Sequence, residues 1–106
     1  MEKPQKFIRF STETPVFMEE HSEMERIYEY IKQHATPQSE ALAWVEKQTH
    51  IRTNHARMLS GATQGQFMHM LTKISGAKDI LELGTFTGYS AICFASALPE
   101  EGHLDT

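Results

Sequence analysis

Apolar positions along the 106-residue chain form three helical patterns and then one short continuous run. Met24, Ile27, Tyr28 and Ile31 recur at 3-1-3 spacing, one face of a helix, behind Ser22 and Glu25 at capping-box spacing. That helix fades near residues 34–35. Thr36 and Pro37, a capping hydroxyl before a proline, predict the next start. Leu42, Val45 and Trp44 form its apolar side, and it continues to about Thr49, with residues 51–55 left open. Residues 56–62 read as a connector that flexes at Gly61. Thr63 and Gln66 repeat the capping-box spacing. Behind them Phe67, Met70, Leu71 and Ile74 repeat the 3-1-3 face, up to Gly76, which is placed to end the helix. Both 3-1-3 stripes are expected to be core or subunit contact. Residues 1–14 are expected to form a loosely ordered arm, and Pro15 can open a short helical turn over residues 16–18.

The continuous run changes the fold class. Ile80, Leu81 and Leu83, interrupted only by Glu82, predict a strand over 80–83. Near-continuous apolar character is the pattern of a parallel strand covered on both faces. A glycine turn follows, from Gly84 to Gly88. Then come Ala91, Ile92, Phe94, Ala95 and Leu98, an apolar helix stopped by Pro99 and Gly102. His103 and Leu104 suggest the start of a second strand. A lone strand leaves backbone donors and acceptors unpaired, at about 1–3 kcal/mol each when buried. Neighbours are therefore expected from further sequence or from another copy of the chain.

Composition narrows the function without naming it. Hydrophobic content of 40% and charged content of 23% are ordinary for a soluble globular chain. The formal net charge of −4 comes with no basic block, which argues against a nucleic-acid partner. No apolar run approaches the roughly 18 residues of a membrane span, and the N-terminus lacks the apolar core of a signal peptide. The single cysteine, Cys93, excludes an intrachain disulfide and fits a reducing cytoplasm. It reads as a small hydrophobe on an apolar helix face. The six histidines do not assemble a metal site: His50 and His55 are five apart, and no Cys or acid completes a set.

The chemistry concentrates at residues 81–90, Leu-Glu-Leu-Gly-Thr-Phe-Thr-Gly-Tyr-Ser. Strand, tight turn and helix in that order form the entry to a nucleotide-type site. A phosphate-binding P-loop needs four residues between its glycines and then lysine, whereas Gly84 and Gly88 enclose three and Tyr89 follows. The dinucleotide fingerprint needs a glycine at position 86, which is Phe. What remains is an acid at the strand end, a glycine pair and a Tyr-Ser helix start. Gly84 lets backbone approach a ligand, and Glu82 places a carboxylate where a cationic amine or sulfonium is favoured.

This segment resembles motif I of class I S-adenosylmethionine-dependent methyltransferases. More narrowly, it is similar to the caffeoyl-CoA and catechol O-methyltransferase family. The residues that carry the likeness are 82–90, the turn Ala-Leu-Pro-Glu-Glu-Gly at 97–102, and a second segment. That segment is Met58-Leu59-Ser60, followed by Gly-Gln-Phe-Met-His-Met-Leu at 65–71. The likeness covers about residues 36–106. It implies an α/β fold: the N-terminal part of a Rossmann-like methyltransferase, mostly helical here. A helical region would span 1–78, and the cofactor-binding domain would open over 79–106. It implies S-adenosylmethionine as cofactor, contacted by Met58, Ser60, Glu82, Gly84, Thr85, Phe86, Gly88, Tyr89 and Ser90. It further implies a divalent metal such as Mg, a small hydroxylated methyl acceptor of catechol type, and a homodimer or higher homo-oligomer. On the family pattern the ribose-binding acid falls about two residues past Thr106, and the metal ligands and catalytic base further on. No catalytic residue is therefore assigned here, and the chain alone is expected to be inactive. Two other readings stay open: a helical self-assembling unit without catalysis, and a fragment of a nicotinamide-dependent oxidoreductase.

Overall fold

The first helix runs further back than the capping signal at Ser22 predicts. The computed structural model describes the backbone of residues 16–106 and the side chains of residues 22–106. Within it, α1 spans Val16–His34. The turn expected over 16–18 and the helix expected from Ser22 are one continuous element, so Ser22 is interior and not a cap. A capping box is a local signal, and it is overridden when the residues before it continue the helix. The arm expected over residues 1–14 and the opening at Pro15 lie outside the described residues. The chain divides into two compact units, Met1–Ala35 and Thr36–Thr106. Met24, Ile27 and Tyr28 of α1 are exposed.

The second unit opens with α2, Glu40–Arg52. Its cap is Ser39, whose Oγ accepts a hydrogen bond from Leu42 N at 3.3 Å. Thr36 and Pro37 lie in the lead-in and do not form the cap and first turn. Ser39 wins because its extended backbone directly precedes the acidic first residue, Glu40, which suits the positive end of the helix. A 3-10 turn, Ala56–Met58, follows. Helix α3 spans Gly61–Ser75 and opens two residues ahead of the signal at Thr63. It ends as expected at Gly76, left-handed at φ +64°, whose N–H reaches Lys73 O.

The sheet is a βαβ unit. Strand β1 is Asp79–Leu81, α4 is Tyr89–Ala97, and β2 is His103–Asp105. The strands pair in parallel, Asp79 with His103 and Leu81 with Asp105. His103 N donates to Lys78 O at 2.7 Å and Glu82 N to Asp105 O at 2.8 Å, extending the ladder at both ends. The start of a strand expected at His103 thus supplies β1 with a neighbour from within the chain. β1 is shorter at its far end than the predicted 80–83, because Leu83 turns away from the ladder into the glycine turn. Leu81 and Leu83 are exposed, Leu83 at 88%, so this strand is not covered on both faces by the described chain.

The core is small. Leu42, Tyr89 and Cys93 are buried, with Val45, Leu59 and Ile92 packed against them. It joins α2 to the start of α4. Helix α3 meets α4 through Gly65, which lies against Cys93 and Tyr89, and through His69, whose Nδ1 is 3.0 Å from Ser96 Oγ. Thr72, also buried, is seven residues on from Gly65 on the same face. The stripe of Phe67, Met70, Leu71 and Ile74 lies on another face and is exposed, Ile74 at 75%. The described chain therefore does not bury this stripe as core, the first of the two roles expected for it. Two helices approach closest where side chains are small, so the glycine face and not the apolar stripe meets α4. Among the described residues, no helix is long and apolar enough to cross a membrane.

Candidate functional site

Glu82 is the first residue past β1, and its backbone N–H still bonds to β2. That fixes where its carboxylate can reach. Ser90, in the first turn of α4, donates to Glu82 Oε2 at 2.5 Å. Thr106 donates to Oε1 at 2.7 Å. Because the Thr106 proton is committed there, the 3.0 Å contact between Thr85 and Thr106 hydroxyls runs from Thr85. The result is a directed chain, Thr85 to Thr106 to Glu82, with Ser90 arriving from the other side. Each carboxylate oxygen keeps lone-pair capacity for a further donor.

The turn between β1 and α4 is tight. Gly84 lies at φ +93° and Gly88 at φ +87°, and Phe86 at φ +49°. Gly88 N closes on Thr85 O at 3.0 Å. Gly88 also serves as the N-terminal cap residue of α4 with no side-chain bond, so Ser90 is released from capping and serves Glu82. A Cβ at Gly84 would meet nothing within 4 Å, which leaves open space at that backbone.

Two segments far apart in sequence meet here. Met58, Leu59 and Ser60 line one cavity together with Gly84, Thr85, Phe86, Tyr89 and Ser90. Of the nine residues implied as cofactor contacts, seven line this cavity. Glu82 joins it through Ser90, and Gly88 supports it from the turn. The cavity holds about 70 Å³. Complete small-molecule sites measure roughly 300–1,000 Å³, so this cavity is too small to enclose such a ligand by itself.

Tyr89 is both core and wall. It is buried, and it donates to Gln38 Oε1 at 2.5 Å while Gln38 Nε2 donates to Glu46 Oε2 at 2.6 Å. Burial, then the neighbouring Cys93 and Glu46 charges, pushes the phenol up to about 12. It is therefore a fixed hydrogen-bond donor at neutral pH and not an acid. Tyr89 also borders a larger cavity, about 300 Å³, with Gln38, Leu42, Gly65, His69 and Cys93. Two features argue against nucleophilic chemistry there. The Ser96 proton goes to Cys93 O at 2.9 Å, so His69 Nδ1 acts as donor in its 3.0 Å contact with Ser96. Burial, and then the Glu82 carboxylate, push the Cys93 thiol up, away from the reactive thiolate. Cys93 packs as the small hydrophobe expected of it.

Thr106, Thr87, Thr49 and Gln38 were not foreseen as parts of this arrangement. Thr49 and Thr87 join α2 to the glycine turn, hydroxyl to hydroxyl at 2.9 Å. No spacing rule marks a threonine on one element as the partner of a threonine 38 residues on. Thr87 alone carried a signal, by lying inside the turn.

The O-methyltransferase family model matches residues 32–106. Caffeoyl-CoA O-methyltransferase 1 of Zea mays is 51% identical over 47 residues, 44% of this chain and 18% of that protein. The corresponding Nicotiana tabacum enzyme is 47% identical over 47 residues, 44% of this chain and 20% of that one. Among solved structures, TomG of Streptomyces achromogenes, an O-methyltransferase in complex with SAM, superposes at TM-score 0.64. It is 37% identical and covers 71% of this chain and 33% of its own. The Bacillus cereus O-methyltransferase in complex with SAH gives TM-score 0.65 and 31% identity, over 74% of this chain and 36% of its own. The chain thus spans about a fifth of the length of these curated relatives and about a third of the solved ones. The expected fold class stands: an α/β chain, mostly helical, carrying the first part of a Rossmann-like methyltransferase fold.

Proposed function

Because the chain belongs to the O-methyltransferase family, we propose that residues 58–60 and 82–90 hold the methionine end of S-adenosylmethionine for methyl transfer to a hydroxyl of a small, catechol-like acceptor. The observation that carries this reading is the meeting of those two segments at one cavity, with the Glu82 carboxylate tied to its wall by Ser90.

The residues fit that group. Glu82 is hydrogen-bonded by Ser90 and Thr106 and offers its remaining acceptor capacity to a cationic amine. Open space at Gly84 admits close approach of a ligand to backbone. Met58 and Phe86 give apolar surface, and Ser60 gives a hydroxyl on the facing side. When bound, S-adenosylmethionine would supply an electrophilic methyl group on a sulfonium sulfur. The role of this chain is to bind and orient the methionine end, since orientation carries much of such a reaction. A divalent metal and a homo-oligomer belong to the same proposal. Among the described residues no group of three or more His, Cys, Asp or Glu side chains is placed to hold a metal ion, so no step is assigned to one. The exposed stripe on α3 offers apolar surface for a second copy. A single buried thiol suits a cytoplasmic setting.

Calorimetric titration of the 106-residue chain with S-adenosylmethionine and, separately, with NAD tests the reading. Binding of the first alone is expected. Glu82→Gln should weaken it about tenfold to a hundredfold, the loss of hydrogen bonding to a charged group. Binding of NAD in its place, or an unchanged affinity in E82Q, refutes the assignment. The chain by itself should not methylate a catechol when supplied with labelled cofactor and Mg²⁺; turnover would overturn that part.

A further inference from the structure

Thr49 lies near the end of α2 and is 2% exposed. Its hydroxyl has one proton, which goes to Val45 O at 2.7 Å. The contact between Thr49 and Thr87 hydroxyls at 2.9 Å therefore has Thr87 as donor and Thr49 as acceptor. Both partners have a defined role, and the bond is shielded from water on the Thr49 side.

Thr87 follows Phe86, whose φ of +49° is left-handed. A non-glycine residue there is strained and persists only where its surroundings fix it. The turn's own bond, Gly88 N to Thr85 O, closes it without attaching it to the core. Attachment comes from side chains at either end. Thr85 reaches Thr106, which is exposed, and Thr87 reaches Thr49, which is buried. A buried bond is the better anchor, because water does not compete for it. Thr72 on α3 marks the contrast. It too is buried and bonds the carbonyl four residues back, Met68 O at 2.9 Å, but the bond stays within its own helix.

We infer that Thr49 is a positioning residue for the glycine turn. Its hydroxyl holds Thr87, and through Thr87 the strained Phe86, in the shape that forms the cavity wall over residues 84–90. The consequence for cofactor binding rests on the function proposed above; the anchoring itself does not.

Four variants of the 106-residue chain test this: Thr49→Val, Thr49→Ser, Thr72→Val and Thr87→Ala. The readouts are amide hydrogen exchange at Gly88 and calorimetric titration with S-adenosylmethionine. In T49V and T87A, exchange at Gly88 should quicken and cofactor affinity fall, each by about tenfold, the loss of one buried hydrogen bond. T49S keeps the hydroxyl and should restore both. T72V should leave both at wild-type values. Wild-type exchange at Gly88 in T87A, or failure of T49S to rescue, overturns the inference. T87A leaves the helix interior intact, so it decides the matter even if T49V does not fold. If the wild-type chain binds no S-adenosylmethionine while exchange at Gly88 still quickens in T49V and T87A, the cofactor reading is refuted and the anchor is supported.

Discussion

Gly65 is a point of close approach between α3 and α4, and replacing it tests that packing directly. A Cβ built there would lie 2.7 Å from Cys93 Sγ and 3.0 Å from Tyr89 Cε1. Real Cβ atoms do not approach other heavy atoms to 2.7 Å, so Gly65→Ala forces a shift. Neither neighbour can yield cheaply: Cys93 and Tyr89 are each 2% exposed, and Tyr89 is held by Gln38. Two effects oppose each other. Alanine is favoured over glycine inside a helix by about 0.8–1.0 kcal/mol. Overpacking a filled core costs about 1–3 kcal/mol. With both clashing groups locked, the clash wins, and a net loss of about 1–2 kcal/mol is expected. For a unit of this size that lowers the thermal midpoint by roughly 5–15 °C.

Circular dichroism during urea and thermal unfolding measures the effect, and a double-mutant cycle assigns its cause. Cys93→Ala alone should cost about 1 kcal/mol through the small void it leaves. In G65A/C93A the new methyl enters the space of the lost sulfur. The double variant should be more stable than the sum of the single losses by at least about 1 kcal/mol. G65A matching or exceeding wild-type stability would show helix propensity acting alone and refute the close approach. Strict additivity in the cycle would refute Cys93 as the obstacle.

Other expectations follow from the caps and from Tyr89. Ser39→Ala should destabilise the second unit by about 1 kcal/mol by removing the cap on Leu42 N, while Thr36→Ala should stay within about 0.5 kcal/mol; the reverse order in chemical denaturation would restore Thr36 as the cap. Tyr89 has a folded pKa raised from 10.0 to about 12. The folded state therefore holds this proton more tightly than the unfolded state. That stabilisation is complete below pH 10 and drains away as pH rises towards 12, by at most about 3 kcal/mol. Tyr89→Phe should unfold with a flatter pH dependence across that window than wild type, and parallel curves would refute the shift.

The glycine turn was legible because its chemistry is local. Glu82, Gly84, Gly88 and Ser90 lie within nine residues, and each is called for by the turn or by the ligand it suits. The meeting with Met58 and Ser60 was legible only through resemblance, since no periodicity brings a connector across to a turn. Two of the errors in the helices share one cause. The capping boxes at Ser22 and Thr63 are valid local patterns, but neighbouring residues continued both helices back through them. The stripe on α3 is instructive in another way. Period 3.6 identifies an apolar face but says nothing of which face meets which neighbour. Contact with α4 went to Gly65, where the backbone comes close to Cys93 and Tyr89, and left Phe67 and Ile74 outward. The same reasoning explains why Thr49 escaped notice. A threonine in a helix is ordinarily satisfied by the carbonyl four residues back, as Thr72 is. Only the tertiary fold shows that Thr49 has a second partner, and that this partner belongs to the turn on which the proposed cofactor site depends.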